Sequence, residues 1–112
     1  MKKVKVFDVV GKNAISMQSG TKLHDVIAQD LLKGEKVEID FSEVSLYASP
    51  FFNASVGILL KNISIDQLMD RMKIINCSDV GLGLLNTVIQ NALNYYNGER
   101  QITDALDKHG KE

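Results

Sequence analysis

A chain of 112 residues, 45% hydrophobic and 24% charged, fits one soluble domain and leaves no room for a second, since domains mostly run about 50 to 250 residues. Thirteen Lys and Arg against 14 Asp and Glu give a formal charge of -1, so no global field draws the chain toward phosphate backbones or anionic lipid, and no nucleic-acid partner is expected. No apolar run approaches the ~20 residues of a membrane span, and the basic start Met1-Lys2-Lys3-Val4-Lys5 leads into an alternating pattern, so no membrane partner and no secretion signal are expected and a cytoplasmic location is.

Along the chain, Lys3 to Val9 reads as a strand, and Gly11-Lys12-Asn13 offers turn chemistry before Ala14-Ile15-Ser16-Met17, which predicts a β-hairpin. Leu23, Val26, Ile27 and Leu31 then recur at helical spacing, and Gly34 stands where a left-handed cap is wanted, predicting a helix over 21–33. Lys36 to Phe41 alternates strictly, with Val37, Ile39 and Phe41 on one face of a strand that ends near Asp40. Ser49-Pro50 opens the next helix: the serine oxygen accepts from a free backbone N–H, and proline gives up a donor that had no partner. Phe52, Val56, Leu59 and Leu60 make its buried stripe.

Ser64-Ile65-Asp66-Gln67 has the form of a capping box for a short helix over 65–71, and Met72 to Asn76 returns as a strand. Ser78 or Asp79 caps a long helix in which Leu82, Leu85, Val88, Ile89, Ala92, Leu93 and Tyr96 recur at helical spacing until Asn97-Gly98 ends it. Residues 1–98 thus read as one domain and 99–112 as a polar tail, frayed or weakly helical. The order β-β-α-β-α-(α)-β-α predicts an α/β (α+β) fold, with about four strands in a mixed sheet and helices packed against it.

Few residues suggest chemistry. Asp40, Asp79 and Asp8 are a conceivable divalent-cation set at strand ends, but capping by Asp79 and loop anchoring by Asp40 are the simpler roles, and no metal site is expected. The single cysteine, Cys77, excludes an internal disulfide and the paired-cysteine zinc patterns. It has no evident base, since His24 and His109 lie far off in sequence, so it is expected to pack. Gly81-Leu82-Gly83 lacks the lysine and spacing of a phosphate loop and is read as close helix–sheet packing. No cofactor is expected, and no enzyme. Phe51 and Phe52, about 100° apart on a helix, are not expected to face one core together, which leaves two places for Phe51: on the surface beside Leu46, Tyr47 and Ser49 as an interaction patch, or packed under the Asn76 to Gly81 loop.

The stretch Val37-Glu-Ile-Asp-Phe-Ser-Glu-Val44 followed by Ser45-Leu-Tyr-Ala-Ser-Pro-Phe-Phe-Asn53 resembles the STAS domains, the sulfate-transporter and anti-sigma-factor-antagonist modules. More narrowly, it resembles the bacterial STAS-like domains of unknown function. Asp40 and Val44 match the family's strand end, and Ser49 falls on its phosphorylatable serine; Ala48, Pro50 and Phe51 stand where antagonists have Asp, Ser or Thr, and Gly. The resemblance implies a STAS-like fold and a non-enzymatic regulatory module that binds a protein partner, in the family a histidine-kinase-like ATPase. Partner binding then falls to Leu46, Tyr47, Ser49, Pro50, Phe51 and Asn53, with Ser49 the candidate phosphosite, its phosphate favoured by the helix dipole and acting by disturbing the cap. The alternative is a small-molecule or nucleotide sensor, with Asp40, Asn76 and Ser78 beside Ser49 as candidate ligand-binding residues.

Overall fold

The computed structural model describes the backbone of residues 1–110 and the side chains of residues 1–96. Strand β1 (Lys2–Lys5) gives way at once to a short helix, α1 (Val6–Val10). Val6, Val9 and Val10 stand at i, i+3 and i+4, so the helical period gathers all three on one side; Val6 is fully buried and the other two pack against the core. Gly11 ends α1 at φ +81°, its N–H donating to the Phe7 carbonyl. The expected hairpin is therefore corrected. Gly11-Lys12-Asn13 terminates a helix, and β2 (Asn13–Ala14) pairs in parallel with β4 (Leu46–Tyr47), not with β1.

Helix α2 (Met17–Lys33) starts four residues before the predicted point, with the Ser16 hydroxyl accepting from the Ser19 N–H at 3.0 Å. It buries Leu23, Ile27 and Leu31 and closes on Gly34 in the left-handed region, as read from the sequence. Strand β3 (Val37–Asp40) lies between β1 and β5 (Met72–Ile75), parallel to both. Instead of one mixed sheet of about four strands, the protein thus has a three-stranded parallel sheet, β1-β3-β5, and a two-stranded parallel ladder, β2-β4. Each return to the sheet follows a helical crossover, and a crossover delivers a parallel strand where a tight turn would deliver an antiparallel one.

Val4, Val37, Ile39 and Met72 bury one face of the larger sheet, while Lys3, Glu38 and Lys73 stand in one register row and supply polar side chains to the other. A run of short elements joins β4 to β5: α3 (Ser49–Ser55), a 3₁₀ turn (Gly57–Lys61) and α4 (Ile65–Arg71). Both halves of the α4 capping box are present, Ser64 Oγ accepting from the Gln67 N–H and Gln67 Oε1 from the Ser64 N–H. The last helix, α5 (Asp79–Gly110), runs on past Asn97-Gly98; a glycine inside a helix costs only about 1 kcal/mol against alanine, too little to stop one. The side chains of the predicted tail, 99–112, lie outside the described residues. Leu85, Val88 and Ile89 bury the inner face of α5, but Leu82 is exposed, because Gly81 takes the inward position and the next residue is turned about 100° away. Among the described residues, no helix is long and apolar enough to cross a membrane.

Candidate functional site

The corner between β4 and α3 is built on aromatic side chains. Phe41, just past β3, meets Tyr47 at 6.0 Å, Phe51 at 6.4 Å and Phe52 at 5.9 Å between ring centroids, and Tyr47 stacks on Phe52 with 4° between the ring planes. Phe41, Phe51 and Phe52 are fully buried, so the expectation of a surface-exposed Phe51 is corrected. A 100° separation keeps two side chains out of one core only where a helix has a single covered face; α3 packs against α2 and against α5, and two neighbours cover two adjacent directions. With the aromatic rings drawn inward, Leu46 (55% exposed), Pro50 and Asn53 are left on the outside of the same segment, and Tyr47 and Ser49 are half-buried.

Ser49 is the first helical residue, not the cap. Ala48 holds the cap position in extended geometry, and among the described residues no side chain makes a capping hydrogen bond to α3. The predicted Ser49 cap is thus corrected: Pro50 occupies the first turn, where its missing N–H costs nothing, so little remains for a serine cap to satisfy. The route by which a phosphate would act by breaking that cap falls with it.

At the carboxyl end of β3, Asp40 Oδ1 accepts from the Ser42 N–H at 2.9 Å and from Asn76 Nδ2 at 3.0 Å, and these bonds hold its carboxyl below the usual carboxylate range. Asp40 thus anchors its loop, as read from the sequence, and Asn76, in the left-handed region at φ +56°, ties the β5 end to it. Ser78 Oγ accepts from the Gly81 N–H at 3.1 Å and caps α5. Of the residues proposed for a small ligand, Asp40 and Asn76 therefore bond each other and Ser78 serves its helix. Two surface grooves, of about 490 and 430 Å³, are lined by other residues. Among the described residues, no three His, Cys, Asp or Glu come together, so Asp8, Asp40 and Asp79 form no cluster.

Cys77 is half-buried against Tyr47, and burial pushes its thiol up. Burial likewise raises the Tyr47 phenol. Both side chains crowd Gly81, where an added Cβ would stand 2.6 Å from Cys77 Sγ and 2.8 Å from Tyr47 Cε1. Gly81 thus gives the close packing read from the sequence; Gly83 has open space around it and does not. A second glycine contact escaped the reading. At Gly20 a Cβ would fall on the Phe51 carbonyl oxygen, so α2 and α3 meet backbone to backbone. Gly20 lies in the predicted loop before the helix, and only its place inside a helical turn would have marked it.

No curated protein and no solved structure gives a significant match to the chain. The family model of the STAS-like domain of unknown function (DUF4325) matches residues 19–82. That stretch runs from the first turn of α2 to the first turn of α5 and contains the aromatic corner, Asp40, Ser49 and the Asn76 to Ser78 segment. It spans more than half of the 112 residues, and the chain belongs to the family of STAS-like domains of unknown function.

Proposed function

We propose that this STAS-like domain is a non-enzymatic, cytoplasmic regulatory module that binds a protein partner, a histidine-kinase-like ATPase, through the segment from Leu46 to Asn53. One observation carries the reading: the aromatic corner buries Tyr47 in part and Phe51 and Phe52 fully, and so presents Leu46, Pro50 and Asn53 outward on a braced backbone. A surface held rigid before binding loses little conformational entropy on contact, and an exposed leucine between polar neighbours is the kind of anchor an interface buries. Phe51 supports this surface from beneath and is not part of it. Ser49 is the candidate phosphosite. It is half-exposed, and a phosphate there places ~-2 charge between Leu46 and Pro50, which an apolar partner surface would have to desolvate.

Affinity capture from the cells of origin tests the reading, with wild type and Leu46→Glu run side by side and the Ser49 peptide followed by mass spectrometry. The expected result is recovery of such an ATPase by wild type and its loss with Leu46→Glu, at unchanged melting temperature. Recovery of no ATPase, or equal recovery by both proteins, would overturn it.

A further inference from the structure

The cleft between α2 and the α3 to 3₁₀ segment has walls from two sides, Met17, Thr21 and His24 on one and Pro50, Asn53, Ala54 and Ile58 on the other, around about 490 Å³. We infer that it is a binding site for a small, uncharged aromatic molecule that carries a hydrogen-bond donor, of the phenol or indole class.

Size comes first: ligand sites mostly run from about 300 to 1,000 Å³. The cleft also stands ready-made. Met17, Thr21 and His24 follow one another at i, i+4 and i+7 along α2, and beside them Gly20 sits against the Phe51 carbonyl and Ala54, so the spacing of the two walls is fixed by a backbone contact. Charge comes next. None of the seven lining residues is Lys, Arg, Asp or Glu, in a chain where 24% of residues are; a charged ligand would give up hydration there and find no counterion. Polar groups then select among neutral ligands. His24 Nδ1 lies 3.3 Å from the Ser55 carbonyl oxygen, and a carbonyl only accepts, so this contact needs a proton on Nδ1; the imidazole tautomer with its one proton there has Nε2 as an acceptor. A ligand that bonds it must donate. Pro50, Ala54 and Ile58 supply apolar surface, and the Met17 thioether is a favourable neighbour for an aromatic ring.

This site does not rest on the partner reading, and Leu46→Glu should leave it intact. The test is a titration of the full chain with 4-ethylphenol and with ethylbenzene, followed by amide chemical shifts. Saturable shifts at Thr21, His24, Asn53 and Ile58 are expected, with the phenol binding about five-fold more tightly, the amount one neutral hydrogen bond contributes. His24→Phe should bring the two affinities together. Thr21→Trp, at an exposed position, should block both probes while leaving shifts remote from the cleft unchanged. Absence of saturable shifts, shifts centred instead on Tyr95, which lines the 430 Å³ groove, or equal affinities for the two probes in wild type would each overturn the inference.

Discussion

Replacing Gly20 by alanine should weaken the fold, although alanine is the better helix former. The added Cβ would fall on the Phe51 carbonyl oxygen and stand 2.9 Å from Ala54 Cβ. That oxygen cannot swing aside cheaply: it belongs to the backbone of α3 and accepts the buried Ser55 hydroxyl at 2.8 Å. Overpacking against a backbone atom that cannot yield falls in the upper part of the usual range, about 2–3 kcal/mol, while the gain in helix propensity is at most about 1 kcal/mol, so a net loss of about 1–2 kcal/mol is expected. For a domain of this size one kcal/mol moves the melting temperature by roughly 4 °C, which puts Gly20→Ala about 4–8 °C below wild type. Gly83→Ala is the internal control. It also lies in a helix, but none of the described residues stands within 4 Å of its added Cβ, so it should gain about 0.5–1 kcal/mol. Urea unfolding of the two variants beside wild type measures both signs. A Gly20→Ala protein as stable as wild type, or changes of the same sign at the two positions, would refute the backbone contact between α2 and α3.

Phe52→Ala removes the ring that stacks on Tyr47 and touches Phe41 and Phe51, and should cost about 3–5 kcal/mol in urea unfolding; a loss below about 1 kcal/mol would mean that the corner is not a brace. Cys77, its thiol raised by burial, should react with iodoacetamide more slowly than free cysteine at pH 8 and reach the free rate in urea; a faster reaction in the folded protein would mean an activated thiol. Asp40 is held below its ordinary value by Asn76 and Ser42, so between the folded and unfolded values the unfolded chain binds more protons. Its contribution to stability is complete above the unfolded value of about 3.9 and is lost as pH falls through the lowered folded one. Asp40→Asn cannot titrate, and its urea midpoint should fall less steeply than that of wild type from about pH 5 to pH 2; parallel curves would contradict this.

Elements whose signals are local were readable from the sequence. The capping box at Ser64 and Gln67, the left-handed stop at Gly34 and the alternation through Val37, Ile39 and Phe41 each depend on residues within one turn or one strand, and each stands where read. Partners distant in sequence were harder to find. Val4 and Val6 fit a strand as well as Val6, Val9 and Val10 fit a helix, and the contact of α1 with α2 decides for the helix. The fate of Phe51 likewise depended on how many neighbours α3 has, which its own spacing does not encode. The site was legible in part. Asp40 anchors its loop as read, and Leu46, Pro50 and Asn53 are on the surface, whereas the cleft beside His24 needs α2 and α3 side by side, an arrangement made possible by a glycine that reads as loop.

The central claim is that an exposed surface, braced from beneath, binds a protein partner. Calorimetric titration of the ATPase proposed as partner with wild type, Leu46→Glu and Ser49→Asp tests it most directly, with melting temperatures recorded for all three. Both substitutions should weaken binding at least about 30-fold, equivalent to about 2 kcal/mol, the loss of one interface anchor, while the melting temperatures stay within a few degrees of wild type. Binding unchanged by Leu46→Glu, or lost only in step with stability, would contradict it.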